Sequence, residues 1–326
     1  VPAPVERPVV AVLCERATDR PPGLDGLPVD FRYCSADGLR GAVQGARVLL
    51  LWDFFSTAVR DVWVDAGSLE WIHVTAAGVD TLLFDELRDS AVVVTNAHGV
   101  FDRPIAEYVL GAVIAHAKDS LRSFDLQRER RWQHRETRSV LGAKALVVGT
   151  GAIGRATARL LRAAGLQVRG VGRVARGDDP DFGEIVASSN LSAEVGWADH
   201  VVLAAPLTAA TRGLVDAGVL AAMRPGSHLV NVARGPIVDE TALLDAVATG
   251  RIAATLDVFD REPLPPDHPL WTAPNLTVTA HMSGDVIGWR DTLAAQFADN
   301  VSRWLAGEPL LNIVDKKLGY IPTGDR

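Results

Sequence analysis

The chain is short of cysteine, of positive charge and of long apolar runs. Its 326 residues include two cysteines, Cys14 and Cys34, in neither a metal-ligand nor a CxxC spacing. That spacing supports no thiolate metal centre and fits a reducing, cytoplasmic setting. Lys and Arg number 33 against 40 Asp and Glu, a formal charge of -7, which argues against nucleic acid or an anionic membrane as the main partner. No stretch reaches the ~20 uninterrupted apolar residues of a membrane helix. The start, VPAPVERPVV, lacks a basic segment followed by an apolar run, so neither a span nor a secretory leader is expected. HExxH, calcium-loop, GxSxG and GxxxxGK[ST] patterns are missing too. No metal is expected, and hydrolase and nucleoside-triphosphatase chemistry is disfavoured.

What is present is an alternation of strand-length apolar runs with longer periodic stretches. VVAVLC (9–14), ARVLLLW (46–52), WIHVTA (71–76) and AVVVTN (91–96) make a first series. Their continuous apolarity marks strands of a parallel sheet covered on both faces. FDRPIAEYVLGAVIAHAKDSL (101–121) then sets Ile105, Val109, Val113 and Ala117 at helical spacing, with Asp102 as cap and Pro104 in the first turn. One long buried helix is expected there, and an exposed arginine-rich excursion over 127–139. A second series follows: KALVVG (144–149), LQVRGVG (166–172), HVVLAA (200–205), HLVNVA (228–233), AATLDVF (253–259) and NLTVTA (275–280), with helices clearest at 152–164 and 239–248. The fold class expected is α/β, two Rossmann-like domains with parallel sheets and a cleft between them. The second domain runs from 104 to 290. The first is discontinuous, 1–103 plus 291–326, with the helix WRDTLAAQFADNVSRWLAG packed back onto it.

The run Gly149-Thr150-Gly151-Ala152-Ile153-Gly154 follows a strand and opens a helix. Gly149 permits the tight turn, Gly151 lets backbone approach a pyrophosphate, and Gly154 allows close helix-to-strand packing. The helix start adds N–H groups and a positive dipole end. A structural glycine turn is the alternative. NAD sites carry Asp or Glu at the end of the next strand, whereas here LQVRGV ends at Gly172, followed by Arg173 and Arg176. Gly offers the ribose no side chain, its lack of charge removes repulsion against a 2′-phosphate, and Arg matches phosphate oxygens. NADP is therefore expected over NAD, unless both arginines merely decorate a loop. Asp178 and Asp179 lie too far along to replace the acid.

Three residues beside the carboxyl ends of strands suit carbonyl reduction. Arg234 in NVARGPIVDE can meet a carboxylate two oxygens at a time, with small Gly235 leaving room for a ligand. A salt bridge to Asp239 or Glu240 is the competing reading. His281 in TAHMSG can shuttle a proton near neutrality, and a carboxylate on its other nitrogen would fix the tautomer. Glu262 in DVFDREPLPPDHPL is the candidate partner, with Asp257, Asp260 and Asp267 competing and His268 a rival base. Trp52, Phe54 and Phe55 follow a strand and either cap a pocket or belong to the core.

The ordered blocks NAHGVFDRPIAEYVL, GTGAIG, APLTAATRGLVDAGVLAAMRPGSHLVNVARGPIVDE, DVFDREPLP and TAHMSG resemble the D-isomer-specific 2-hydroxyacid dehydrogenases over nearly the whole chain. The resemblance implies that Arg234 binds the substrate carboxyl and carbonyl oxygen, Glu262 pairs with the histidine, and His281 is the general acid/base. It implies a substrate-binding, flavodoxin-like first domain, in which Ala76, Ala77, Gly78 and Val79, after Thr75, present N–H groups to the carboxylate. It implies a dinucleotide-binding second domain, where Ala205, Pro206, Thr211, Val232, Ala233 and Asp257 join the cofactor contacts. The substrate class is a small 2-oxo or 2-hydroxy acid and the assembly a homodimer, built partly by the long helix and the 123–140 excursion. Ala76 stands where the family often has Ser, SGDVIGW differs from its commonest form, and GRVAR resembles the loop of NADP-preferring glyoxylate and hydroxypyruvate reductases. A dehydrogenase of another small anion, such as phosphite, and a nucleotide-sensing protein without turnover are the rival functions.

Overall fold

A computed structural model describes residues 7–322. It divides into two compact units: one holds the chain up to Val100 and resumes at Val286, the other runs Phe101–Asp285. The changeovers therefore fall a few residues ahead of those read from the apolar pattern, 104 and 290.

The first unit is built on a parallel sheet of β1 (Val9–Leu13), β2 (Asp30–Cys34), β3 (Val48–Leu51), β4 (Trp71–Val74) and β5 (Val93–Asn96), in the order β2-β1-β3-β4-β5. All four residues of β3 and of β4 are buried, as the unbroken apolar runs require of strands covered on both faces. β2, DFRYC, escaped the sequence reading because it is an edge strand whose burial alternates and whose apolar content is low. The helix Trp289–Ala306 belongs to this unit, and its Phe297 ring stacks on Trp71 at 5.3 Å. Trp71 Nε1 donates to Thr95 Oγ1 at 2.8 Å, and the same hydroxyl shares a hydrogen bond with His73 Nδ1, also 2.8 Å away.

The second unit carries β6 (Lys144–Val148), β7 (Gln167–Gly172), β8 (Arg176–Asp179), β9 (Gly183–Ala187), β10 (His200–Leu203), β11 (His228–Asn231), β12 (Ala253–Leu256) and β13 (Leu276–Val278). Their order is β13-β12-β11-β10-β6-β7-β9-β8, with parallel pairings except the antiparallel β8·β9 hairpin. The order turns outward in both directions from β6 and β10, the switch point at whose carboxyl side such sheets bind ligands. β8 went unread because RGDD has no apolar run to mark it, and β9 because only Ile185 and Val186 of GEIVA are buried.

Ile105, Val109, Val113 and Ala117 are buried as their spacing requires, but the expected single helix is two. Asp102–Ala117 ends at Lys118, Asp119 takes a left-handed φ of 49°, and Ser120–Arg128 forms a second helix. A left-handed residue with a Cβ breaks the hydrogen-bond ladder, and periodicity cannot see it. Asp102 is the first helical residue, with Phe101 at the capping position. Residues 131–140 have no regular structure, and Trp132 is fully exposed. No helix among the described residues is long and apolar enough to cross a membrane, and no group there could hold a metal ion.

Candidate active site

The glycine loop joins β6 to the helix Ala152–Ala163. Gly149 has φ of 111°, and a Cβ there would lie 2.5 Å from the Ala204 carbonyl oxygen. Gly154 is tighter, its virtual Cβ falling 1.9 Å from the Gly149 oxygen. Gly151, at the amino end of the helix, faces open space instead. Two glycines thus set the turn and the third leaves a cradle in front of the first helical N–H groups. That arrangement fits a dinucleotide pyrophosphate. Thr150, Ala152 and Ile153 are half-buried around it.

Gly172 ends β7, and a side chain there would crowd Ile185 at 3.2 Å and Thr150 at 3.3 Å. Arg173 is exposed just beyond. Arg176 lies on β8, not in the open loop the sequence suggests, and its Nη2 pairs with Asp179 at 3.2 Å. Asp179 also accepts from Arg155 at 2.9 and 3.0 Å. Burial alone would raise its pKa, but the Arg155 bonds and the N–H groups of Asp181 and Phe182 outweigh it, holding the carboxyl far below the usual range. After β10, Ala205 is buried and Pro206 exposed; Thr211 Oγ1 closes the loop by donating to the Pro206 carbonyl at 2.6 Å. Val232 and Ala233 are buried beyond β11.

Arg234 comes next, half-buried. Asn231 holds its loop, accepting from Ala233 N–H and donating to the Arg234 carbonyl, both at 3.0 Å. The room expected beside Gly235 is filled by protein, since a Cβ there would lie 2.0 Å from the Phe259 carbonyl carbon. Asp239 caps the following helix through Ala242 N–H at 3.0 Å, and Glu240 pairs with His268 at 3.1 Å. Each rival partner or base thus has a place of its own.

His281 Nδ1 and Glu262 Oε2 are 2.6 Å apart, both side chains about a quarter exposed, at 29% and 25%. Glu262 Oε1 accepts from Phe259 N–H at 2.9 Å, which fixes the carboxylate plane. Burial pushes Glu262 upward, but the His281 hydrogen bond and charge, the Phe259 N–H and the Arg234 charge prevail, and its pKa is lowered. The competing Asp257 is fully buried and serves backbone instead: Met282 and Ser283 N–H donate to its carboxylate at 3.0 and 2.9 Å. An imidazole oriented by a carboxylate that also feels a guanidinium charge is chemically able to hold and pass a proton near a bound anion.

In the first unit, Ala76, Ala77, Gly78 and Val79 follow β4. The Ala76 carbonyl accepts from Ala97 N–H at 3.0 Å and the Ala77 carbonyl from Asn96 Nδ2 at 2.6 Å. Pinning the carbonyls turns the peptide N–H groups the other way, as an anion nest requires. Trp52 proves to be core, buried under the Arg290 guanidinium at 5.1 Å, whereas Phe55 is exposed and Phe54 sits 6.4 Å from Trp289. Sequence reasoning missed Asn96 and Asn231, whose only signal is a polar residue closing an apolar strand.

The family model for the D-isomer-specific 2-hydroxyacid dehydrogenase NAD-binding domain matches residues 110–283. The chain belongs to this family. It is accordingly an enzyme, an NAD(P)-dependent D-2-hydroxyacid dehydrogenase. It is similar to the glyoxylate reductase of Thermofilum pendens, 30% identical over 282 residues, 84% of this chain and 82% of that one. It is also similar to the glyoxylate reductase/hydroxypyruvate reductase of Homo sapiens, 29% identical over 290 residues, with 84% and 86% covered. Among solved structures, the D-isomer specific 2-hydroxyacid dehydrogenase of Xanthobacter autotrophicus Py2 in complex with NADPH and MES superposes with a TM-score of 0.82 at 33% identity, covering 95% of this chain and 99% of that one. The dehydrogenase therefore shares its two-sheet α/β architecture with proteins of this family.

Proposed function

We propose that this dehydrogenase reduces a small 2-oxo acid of the glyoxylate or hydroxypyruvate type, reversibly, with NADPH preferred to NADH. The observation that carries the reading is the 2.6 Å His281–Glu262 pair with the Arg234 charge acting on it. In the 2-oxo acid, C2 must gain a hydride and its oxygen a proton. A nicotinamide cofactor supplies the hydride when bound at the glycine loop. His281 Nε2 gives the proton to the C2 oxygen as negative charge develops there, and takes it back in the reverse direction. Glu262, on Nδ1, holds the ring and stabilises the imidazolium. Arg234 takes the substrate's carboxylate and carbonyl oxygens, and the N–H groups of residues 76–79 take the carboxylate. On this reading the unit Phe101–Asp285 holds the dinucleotide and supplies Arg234, Glu262 and His281.

The NADP preference is supported by the uncharged Gly172, by Arg173 beyond it and, more weakly, by Arg176, whose charge is shared with Asp179. The NADPH bound to the Xanthobacter relative is in keeping with it. Ala205, Pro206, Thr211, Val232 and Ala233 complete the proposed cofactor contacts; the contact expected of Asp257 does not fit its fully buried carboxylate, both of whose oxygens accept from backbone. The proposed assembly is a homodimer, which would cover the exposed Trp132 and Leu141. Two unpaired cysteines fit a reducing, cytoplasmic location. The test is a steady-state screen of 2-oxo acids with NADPH and NADH, with His281→Ala as control. Cofactor binding without oxidation by any 2-oxo acid overturns the reading.

A further inference from the structure

We infer that Tyr108 and Thr279 form a positioning relay that acts through Asp257 on the backbone of His281. The inference rests on the reading of His281 as the acid/base group. Tyr108 lies on the helix Asp102–Ala117, Thr279 just past β13 and Asp257 just past β12. Tyr108 Oη and Thr279 Oγ1 are 2.6 Å apart, and Thr279 Oγ1 donates to Asp257 Oδ1 at 2.6 Å. A threonine hydroxyl has one hydrogen. Because the carboxylate takes it, Tyr108 must donate to Thr279, so the chain has one direction. Burial pushes the Tyr108 phenol up to about 12, and the donor is retained across the working range.

Asp257 collects three successive backbone N–H groups. His281 N–H donates to its carbonyl at 2.8 Å, Met282 N–H to Oδ1 at 3.0 Å and Ser283 N–H to Oδ2 at 2.9 Å. His281 itself has φ of 49°, a conformation a residue with a Cβ keeps only where its surroundings over-determine it. Asp257 supplies that determination, and Tyr108 with Thr279 fixes the rotation of its carboxylate. A helix otherwise read as scaffold thereby sets where the His281 ring meets Glu262. Connected polar chains of this kind, partly buried at Tyr108 and Thr279 and fully at Asp257, rigidify what they touch.

The test compares Thr279→Val, Thr279→Ser and Tyr108→Phe in the full-length enzyme. One readout is the proton resonance of the His281–Glu262 hydrogen bond, assigned by its loss in Glu262→Gln. The other is steady-state kcat and KM with glyoxylate. Thr279→Val is expected to move or broaden the resonance and to lower kcat roughly 10- to 100-fold with KM little changed, the signature of a misplaced group. Thr279→Ser restores both, and Tyr108→Phe shifts both in the same direction by less. A resonance and kcat unchanged in Thr279→Val overturn the relay, as does equal damage in Thr279→Ser. If the valine variant does not fold, Tyr108→Phe decides, and wild-type values in it overturn the relay. Absence of turnover in the wild type refutes the functional reading alone, because the resonance still reports on the relay.

Discussion

The Gly154 backbone lies so close to the Gly149 carbonyl that a Cβ on the former would sit 1.9 Å from the oxygen of the latter, while Gly151 between them looks onto open space. The three glycines of one motif therefore respond differently to one methyl group. Gly154→Ala must push backbone apart and is expected to destabilise the enzyme by about 3 kcal/mol or more. Gly151→Ala is expected to stay within about 0.5 kcal/mol of wild type, yet to weaken dinucleotide binding because the methyl occupies the cradle. Thermal unfolding beside cofactor titration separates the two, and equal melting temperatures for both variants contradict the packing argument.

Removal of the His281 imidazole is expected to lower kcat roughly 100- to 10,000-fold, the usual worth of a positioned acid/base group. Arg234→Lys keeps the charge but discards the planar fork, so kcat/KM is expected to fall steeply although the protein stays folded. Rate measurements over a range of glyoxylate concentrations check both variants.

Coenzyme choice should divide between the two arginines. A hydrogen bond to a charged group contributes about 1.5–3 kcal/mol, so Arg173→Ala is expected to raise KM for NADPH roughly tenfold or more and leave that for NADH nearly unchanged. Arg176→Ala should do less, because its guanidinium is already paired to Asp179 at 3.2 Å. Equal effects of Arg173→Ala on both cofactors would place that side chain away from the 2′-phosphate.

Acid sensitivity should come from buried histidines before it comes from Glu262. Burial lowers His73 to about 3 and His200 to about 4 from the ordinary 6.5, and lowers His228 well below it. The unfolded chain then binds more protons below pH 6.5, so stability is full above that value and falls as pH drops. The slope approaches about 1.4 kcal/mol per pH unit for each histidine. Glu262, with a lowered pKa, keeps its charge until pH is below the ordinary 4.5. Resistance to denaturant, followed by circular dichroism, is therefore expected to fall as pH drops below 6; unchanged stability between pH 7 and pH 5 would refute the argument.

The long apolar runs placed the buried strands almost to the residue, because a strand covered on both faces has no polar position to confuse it. β2 and β8 stayed hidden for the complementary reason: an edge strand needs only part of its surface apolar, and RGDD needs none. The helix break at Asp119 was equally silent, since one left-handed residue leaves the apolar spacing on either side intact.

At the site, local chemistry was legible and long-range geometry was not. Three glycines at fixed offsets after a strand, an Arg, a Glu and a His at strand ends, and a missing acid at Gly172 all lie within short windows of sequence. Which carboxylate meets His281 was open among four candidates, and the fold chose Glu262 because Asp257 is turned inward onto the amides of Met282 and Ser283. The space beside Gly235 went to the Phe259 backbone, and Arg176 went to Asp179. The sequence determined which groups were available and which segments had to be buried, because periodicity and covalent shape are local. Only tertiary structure decided their partners, because a hydrogen bond is made to whatever atom packing brings within about 3 Å, regardless of its distance along the chain.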